Sequence, residues 1–134
     1  MKFADLKGKT IKAIEISDSQ ESMHFSCDDG HTYRLMYHHD CCANCSIEDI
    51  CGDLEDLIDH PLLVAECVSS ENENPDGVPI PEYQDSYTWT FYKLDTIKGG
   101  VTIRWYGESN GYYSEKATLG KLTDMGWENF WCED

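Results

Sequence analysis

The chain has 134 residues, of which 40% are hydrophobic and 12% aromatic, and its 26 Asp and Glu against 10 Lys and Arg give a formal net charge of −16. This length and apolar content exclude a wholly disordered chain and predict a single domain over residues 1–134. The negative charge repels nucleic acid and anionic membranes, so we expect no direct contact with either and a basic protein as the partner.

No apolar run is long enough for a signal peptide or a membrane span, and residues 1–7 are interrupted by charges. We therefore expect a cytosolic protein. Because disulfides are rare in reducing compartments, the seven cysteines are expected to serve packing, metal binding or chemistry.

Alternating apolar residues in the first third of the chain predict a β-meander. Residues 9–17 and 22–27 fit two antiparallel strands joined by a polar turn. Asp-Asp-Gly at residues 28–30 is a turn signal, and it leads into a third alternating stretch at residues 31–38.

The pattern changes after Cys45, where a helix is predicted. Ser46 is a suitable N-cap, and acidic residues in a first turn suit the positive end of the helix dipole. Apolar residues then recur at helical spacing until Pro61. These residues are Ile47, Ile50, Cys51, Leu54, Leu57 and Ile58. We expect them to form the buried face of one main acidic helix.

Strand patterns resume after the predicted helix. They lie at residues 62–68, 86–94, 101–106 and 112–117. A proline-rich acidic stretch at residues 69–84 is expected to be an exposed loop. The order is β-β-β-α-β and then β-β-β, so the expected fold class is α+β, with an antiparallel sheet and one main helix.

A cluster of cysteines and histidines precedes the predicted helix. Thiolates and imidazoles are the ligands that tetrahedral zinc prefers, and Cys-x-x-Cys spacing lets a turn direct two sulfurs to one ion. The first choice of ligands for a structural Zn²⁺ is His38, Cys41, Cys42 and Cys45. Adjacent cysteines point apart in an extended chain, so His39 or Cys51 could replace one ligand. The alternative is that these thiols pack as small hydrophobic side chains.

Acidic residues are concentrated after this cluster, and no Lys or Arg occurs between Arg34 and Lys93. Carboxylates spaced along a helix could imitate nucleic-acid phosphates and bind a basic groove. The predicted contact patch is Glu48, Asp49, Asp53, Glu55, Asp56 and Asp59. The alternative is a solvated surface that keeps the protein soluble.

Four segments carry a resemblance: YHHDCC, SIEDICGDLEDLI, SYTWTFYKLDTIKGGVTIRWYG and SNGYYSE. Together they resemble a family of small acidic phage and prophage proteins. The recurring elements of that family correspond here to His38, Cys41, Cys42 and residues 52–57 and 86–107. Because small acidic phage proteins include anti-CRISPR proteins, the resemblance implies an inhibitor of a type II Cas nuclease, acting in the host cytosol on a positively charged channel.

We therefore expect a non-enzymatic inhibitor that blocks target DNA binding. Two other functions stay open. A zinc-dependent hydrolase could use Glu48 as its general base. A phage accessory module could instead bind a host protein through aromatic residues of the sheet. The candidate anchors are Trp89, Trp105, Tyr106, Tyr112 and Tyr113.

Overall fold

A computed structural model describes residues 2–37, 43–71, 86–109 and 117–131. Nine strands are described within these ranges. They are β1 (Ile11–Ile16), β2 (Ser22–Cys27), β3 (Thr32–Met36), β4 (Ala43–Cys51), β5 (Val64–Glu71), β6 (Ser86–Thr96), β7 (Gly99–Ser109), β8 (Thr118–Thr123) and β9 (Gly126–Trp131). Helical structure in the same ranges consists of two 3-10 turns, Phe3–Leu6 and Leu54–Leu57.

The strands form two antiparallel sheets that share one hydrophobic core. The first sheet has the order β1-β2-β3-β8-β9, and the second has the order β4-β7-β6-β5. Buried side chains of both sheets, such as Phe25 and Leu35 in the first and Tyr92 and Trp105 in the second, belong to a single cluster. Burial of this apolar surface is the main favourable term in folding.

The predicted β-meander is confirmed. Residues of β1 pair with β2 and residues of β2 pair with β3, with Ile14 opposite Phe25 and Phe25 opposite Tyr33. The turn between β2 and β3 contains Gly30 at φ +83°, a conformation that glycine adopts without steric cost. Alternation and a glycine turn were sufficient signals here because both are local.

The α+β prediction is wrong, because the segment expected to form the main acidic helix is a strand followed by a 3-10 turn. Ser46, the expected N-cap, lies inside β4 opposite Tyr106. Asp53 caps the short turn instead, and its carboxylate accepts a hydrogen bond from the Glu55 N–H at 3.0 Å. The described part of the chain is therefore an all-β structure.

A β-bulge explains the misleading pattern. Ile47 lies opposite Trp105 and Ile50 opposite Ile103, while Asp49 faces Arg104 and Glu48 is the extra residue. One extra residue puts side chains three apart on the same face of a strand. Three is also a helical spacing, so the apolar pattern of the bulged strand imitates a helix.

The C-terminal part of the sheet was only partly predicted. Residues 112–116 of the strand expected at 112–117 lie outside the described residues, and Ala117 directly precedes β8. The structure has β8 and β9 after it, and β8 pairs with β3, with Leu119 opposite Leu35. Among the described residues, no helix has the length and apolar character needed to cross a bilayer.

Candidate functional site

The six carboxylates predicted as a contact patch lie along one segment, which consists of the end of β4, the Leu54–Leu57 turn and the residues just after that turn. Five of these side chains are exposed, and that of Asp56 is half-buried. They do not share one helical face. Each part of the segment is instead held by a different neighbouring strand.

Glu48 and Asp49 lie at the bulge of β4 and both contact Arg104 of β7. The guanidinium donates to Glu48 through Nε and Nη2, and its Nη2 lies 3.5 Å from Asp49 Oδ2. Two residues of a bulged strand face a single residue of the partner strand, which explains how both carboxylates reach the same cation. The side chain of Arg104 is 18% exposed, so this ion pair is better shielded from solvent than an ordinary surface pair.

Asp53 caps the Leu54–Leu57 turn, and Asp56 holds that turn against the hairpin of β6 and β7. The backbone carbonyl of Asp56 accepts a hydrogen bond from the Thr96 hydroxyl. Its carboxylate lies so near Gly99 that a Cβ atom there would be 2.8 Å from Asp56 Oδ2. Glu55, between them, is exposed.

Asp59 ends the segment beside the first sheet. Its backbone has φ +67°, and its N–H donates to the Ile11 carbonyl at 2.9 Å. Its carboxylate accepts from Lys12 Nζ at 3.0 Å. Because both partners of this ion pair are more than half exposed, it contributes little to stability.

A groove of about 330 Å³ separates the acidic segment from β1. Apolar side chains of Ile14, Leu54 and Ile58 line it together with Ala13, and Glu55 and Lys12 supply its charged groups. A long basic side chain could place its methylene groups on such apolar surface and its charge near a carboxylate.

The structure describes only some of the predicted zinc ligands. His38, Cys41 and Cys42, together with the reserve ligand His39, lie outside the described residues. Cys45 is 2% exposed and faces the hydrophobic core from β4, as Ile47 does. Cys51, the other reserve, is exposed, and its Sγ lies 3.7 Å from Asp49 Oδ2.

In the described ranges, no group of three or more His, Cys, Asp or Glu side chains is arranged to hold a metal ion. Glu48, the imagined general base of a hydrolase, is engaged by Arg104 in this structure.

The aromatic anchors of the accessory-module alternative divide into three groups. Trp105 is in the core and is 1% exposed. Trp89 and Tyr106 face away from that core, with ring centroids 4.5 Å apart, and Trp89 is also buried. Tyr112 and Tyr113 lie outside the described residues.

Sequence reasoning missed the part played by Arg104 in the acidic patch. Arg104 is more than 50 residues away along the chain, and the pairing of β4 with β7 brings it there. The alternation of Val101, Ile103 and Trp105 already placed Arg104 on the face away from the core. What the sequence lacked was the identity of the neighbouring strand.

Comparison with known proteins gives one family. The model of a domain of unknown function, DUF7448, matches residues 4–119, which include the acidic segment and eight of the nine strands in whole or in part. No curated protein and no solved structure matches the chain.

Proposed function

Since the chain belongs to the DUF7448 family of domains of unknown function, we propose a function from its charge and geometry: it is a non-enzymatic inhibitor that binds the basic, nucleic-acid-binding surface of another protein. The partner that the sequence resemblance indicates is a type II Cas nuclease in the host cytosol. Occupation of that surface would block target DNA binding.

The observation that carries this proposal is the uncompensated charge of the acidic segment. Its six carboxylates meet two cations within the described structure, Arg104 and Lys12, which leaves an excess of four negative charges. The whole chain has a net charge of −16. A basic groove built for phosphates would attract such a surface, and salt would weaken the attraction.

The rigidity of the segment supports the same proposal. Asp53 is held by its capping hydrogen bond, Asp56 by the hydrogen bond from Thr96 to its backbone carbonyl, and Asp59 by the hydrogen bond from its N–H to the Ile11 carbonyl. Charges that are already positioned lose less conformational freedom on binding than charges on a disordered tail. The groove beside Glu55 adds apolar surface for a basic side chain of the partner.

The direct test mixes the purified protein with a Cas ribonucleoprotein and measures target-DNA binding at increasing salt. Inhibition is expected at low ionic strength, with potency falling as salt rises. Absence of inhibition at every salt concentration would remove the proposal for this partner.

A charge variant with a matched control locates the contact surface. Asp53→Asn with Glu55→Lys keeps a capping acceptor and changes the charge by three units. Asp124→Asn with Glu128→Lys makes the same change on the exposed part of the β8–β9 hairpin. The first variant should lose at least ten-fold in potency and the second much less. Equal losses of potency in the two variants would mean that inhibition depends on net charge alone and not on the acidic segment.

We also propose that the Cys/His cluster binds one structural zinc ion through His38, Cys41, Cys42 and Cys45. The proposal rests on the ligand types and the Cys-x-x-Cys spacing. Metal analysis of freshly purified protein, never exposed to chelator, should find about one zinc per chain. Cys42→Ser should lower the zinc content and Cys67→Ser should not; zinc-free wild-type protein would contradict the site.

A further inference from the structure

The chain has two arginines, and each lies over a tryptophan on the outer face of a different sheet. Arg104 Cζ is 5.6 Å from the centre of the Trp89 ring, and Arg34 Cζ is 4.0 Å from the centre of the Trp127 ring. The surroundings of the two guanidinium groups differ in one respect. Arg104 is paired with Glu48 and Asp49, whereas Arg34 makes no ion pair with any described residue.

Within the part of the chain that the structure describes, no carboxylate pairs with Arg34, which is unexpected in a chain with 26 Asp and Glu. A guanidinium has five N–H donors, and the protein acceptor described for Arg34 is Asn129 Oδ1, 3.5 Å from Nη2. Arg34 Nε is shielded from solvent and has no hydrogen-bond partner among the described residues. Leaving a shielded donor unsatisfied costs stability, so this arrangement is not one that stability alone favours.

Arg34 lies in the middle of a row of residues that crosses the first sheet. The pairing registers place Glu15 opposite His24, His24 opposite Arg34, Arg34 opposite Gly120, and Gly120 opposite Asn129. Glu15 is the carboxylate of this row, and it is two strands from Arg34, a separation of about 10 Å. His24, in between, is the nearer neighbour of the guanidinium.

Gly120 allows the tryptophan to approach the row. A Cβ atom at Gly120 would lie 3.3 Å from Trp127 Cε3 and 3.4 Å from Arg34 Nε. The rings of Trp127 and His24 also pack in a T-shaped arrangement, with centroids 5.7 Å apart. Arg34 and His24 are therefore neighbours that both contact the Trp127 indole. Their Cβ atoms are about 5 Å apart, as in any directly opposed pair.

We propose that Arg34 and His24, positioned by Trp127, form a binding site for the oxyanion of a ligand, either a carboxylate or a phosphate. The oxyanion neutralises Arg34 as Glu48 and Asp49 neutralise Arg104, but it approaches from the terminal nitrogens because Arg34 Nε is shielded. The terminal nitrogens Nη1 and Nη2 of Arg34 supply a planar pair of donors that matches two oxygens, and His24 supplies a third donor. Stacking on Trp127 fixes the guanidinium plane before the ligand arrives.

The test uses sodium acetate and inorganic phosphate as separate probes, at an ionic strength kept constant with NaCl. Nitrogen-15 NMR follows the Nε–H signals of both arginines and the indole N–H signals of the tryptophans. Saturable shifts are expected at Arg34 and Trp127, with Arg104 and Trp105 unchanged. The probe with the lower dissociation constant identifies the favoured oxyanion. Shifts that never saturate, or that affect both arginines equally, would overturn the proposal.

Matched variants separate the site from general charge effects. Arg34→Lys keeps the charge but loses the planar pair of donors, so affinity for the better probe should fall at least ten-fold. Arg104→Lys makes the same change in the other sheet and should alter affinity less than two-fold. His24→Leu leaves Arg34 in place, and it is the test variant if Arg34→Lys does not fold. Its affinity should fall at least three-fold, and an unchanged affinity would overturn the proposal.

Discussion

Asp29 holds the turn between β2 and β3 through three hydrogen-bond donors. Its Oδ1 accepts from the His31 N–H at 2.9 Å, and its Oδ2 accepts from the Tyr33 hydroxyl at 2.7 Å and from Lys9 Nζ at 3.2 Å. Burial alone would raise the pKa of Asp29, but these donors outweigh it and the pKa is lowered. Burial and the bond to Asp29 raise the pKa of Tyr33 to about 12.

Replacing Tyr33 by Phe tests this network at the residue scale. A carboxyl whose pKa is lower in the folded state stabilises the fold above its unfolded pKa, and that contribution disappears as pH falls through the folded pKa. Tyr33→Phe should therefore cost about 1 kcal/mol at neutral pH, and the difference from the wild type should shrink once Asp29 is protonated. Urea unfolding of both proteins, from neutral pH down to the pH at which Asp29 is protonated, measures this difference in stability. A difference that does not depend on pH would contradict the role of Asp29.

Gly52 offers a second residue-scale prediction. Its φ is +116°, and a Cβ atom there would lie 2.4 Å from the Gly100 carbonyl oxygen, a backbone atom that cannot move aside cheaply. Gly52→Ala should lower the free energy of unfolding by about 3 kcal/mol. Gly126, at φ +101° with open space around it, is the matched control. Gly126→Ala should cost about 1 kcal/mol, and equal costs would mean that the contact with Gly100 is unimportant.

At the scale of elements, β4 shows how a local pattern can mislead. Its apolar residues have helical spacing because the bulge at Glu48 adds one residue between Ile47 and Ile50. The next apolar pair, Leu54 and Leu57, is three apart because it belongs to a 3-10 turn. Two unrelated irregularities therefore reproduce the pattern of an amphipathic helix.

Single-residue deletions distinguish the bulged strand from a helix. Deleting Glu48 leaves Ile47 and Ile50 facing the core and Asp49 facing out, so the variant should fold, with a loss of about 1–2 kcal/mol from the ion pair and local geometry. Deleting Ser46 makes Cys45 and Ile47 neighbours, so one of these buried side chains must turn outward. That variant should lose about 3 kcal/mol or more.

The two deletions are compared by chemical unfolding, with far-UV circular dichroism as the check on secondary structure. In a helix, either deletion would rotate all later residues by about 100° and both would be damaging. Equal and large losses for the two variants would contradict the bulge.

At the scale of the whole molecule, the net charge of −16 sets the response to salt. Repulsion among carboxylates opposes the compact state, and it is screened as the Debye length falls from about 20 Å to a few ångströms. Ion pairs such as Lys12–Asp59 weaken as well, but exposed pairs contribute little. Stability should therefore rise with NaCl, by about 1 kcal/mol between about 20 and about 500 mM. Thermal unfolding measures this, and a melting temperature that falls with salt would contradict it.

Much of the candidate site could be anticipated because charge and local alternation are properties of the sequence itself. The acidic residues were predicted as one contact patch, and five of the six are exposed. Their supports could not be anticipated. Arg104 reaches Glu48 and Asp49 only because β7 pairs with β4, and Lys12 reaches Asp59 only because β1 runs beside that segment.

By itself, the sequence determined the β-meander, the long β6–β7 hairpin and the negative charge, since a period of two, a glycine turn and a count of ionisable groups need no knowledge of distant residues. The tertiary structure decided the bulge in β4, the position of β8 beside β3 and the stack of Arg34 on Trp127. Each of these depends on which strand lies next to which. Packing between residues far apart in the chain determines which strands are neighbours, and the local hydrophobic periodicity of a strand does not predict it.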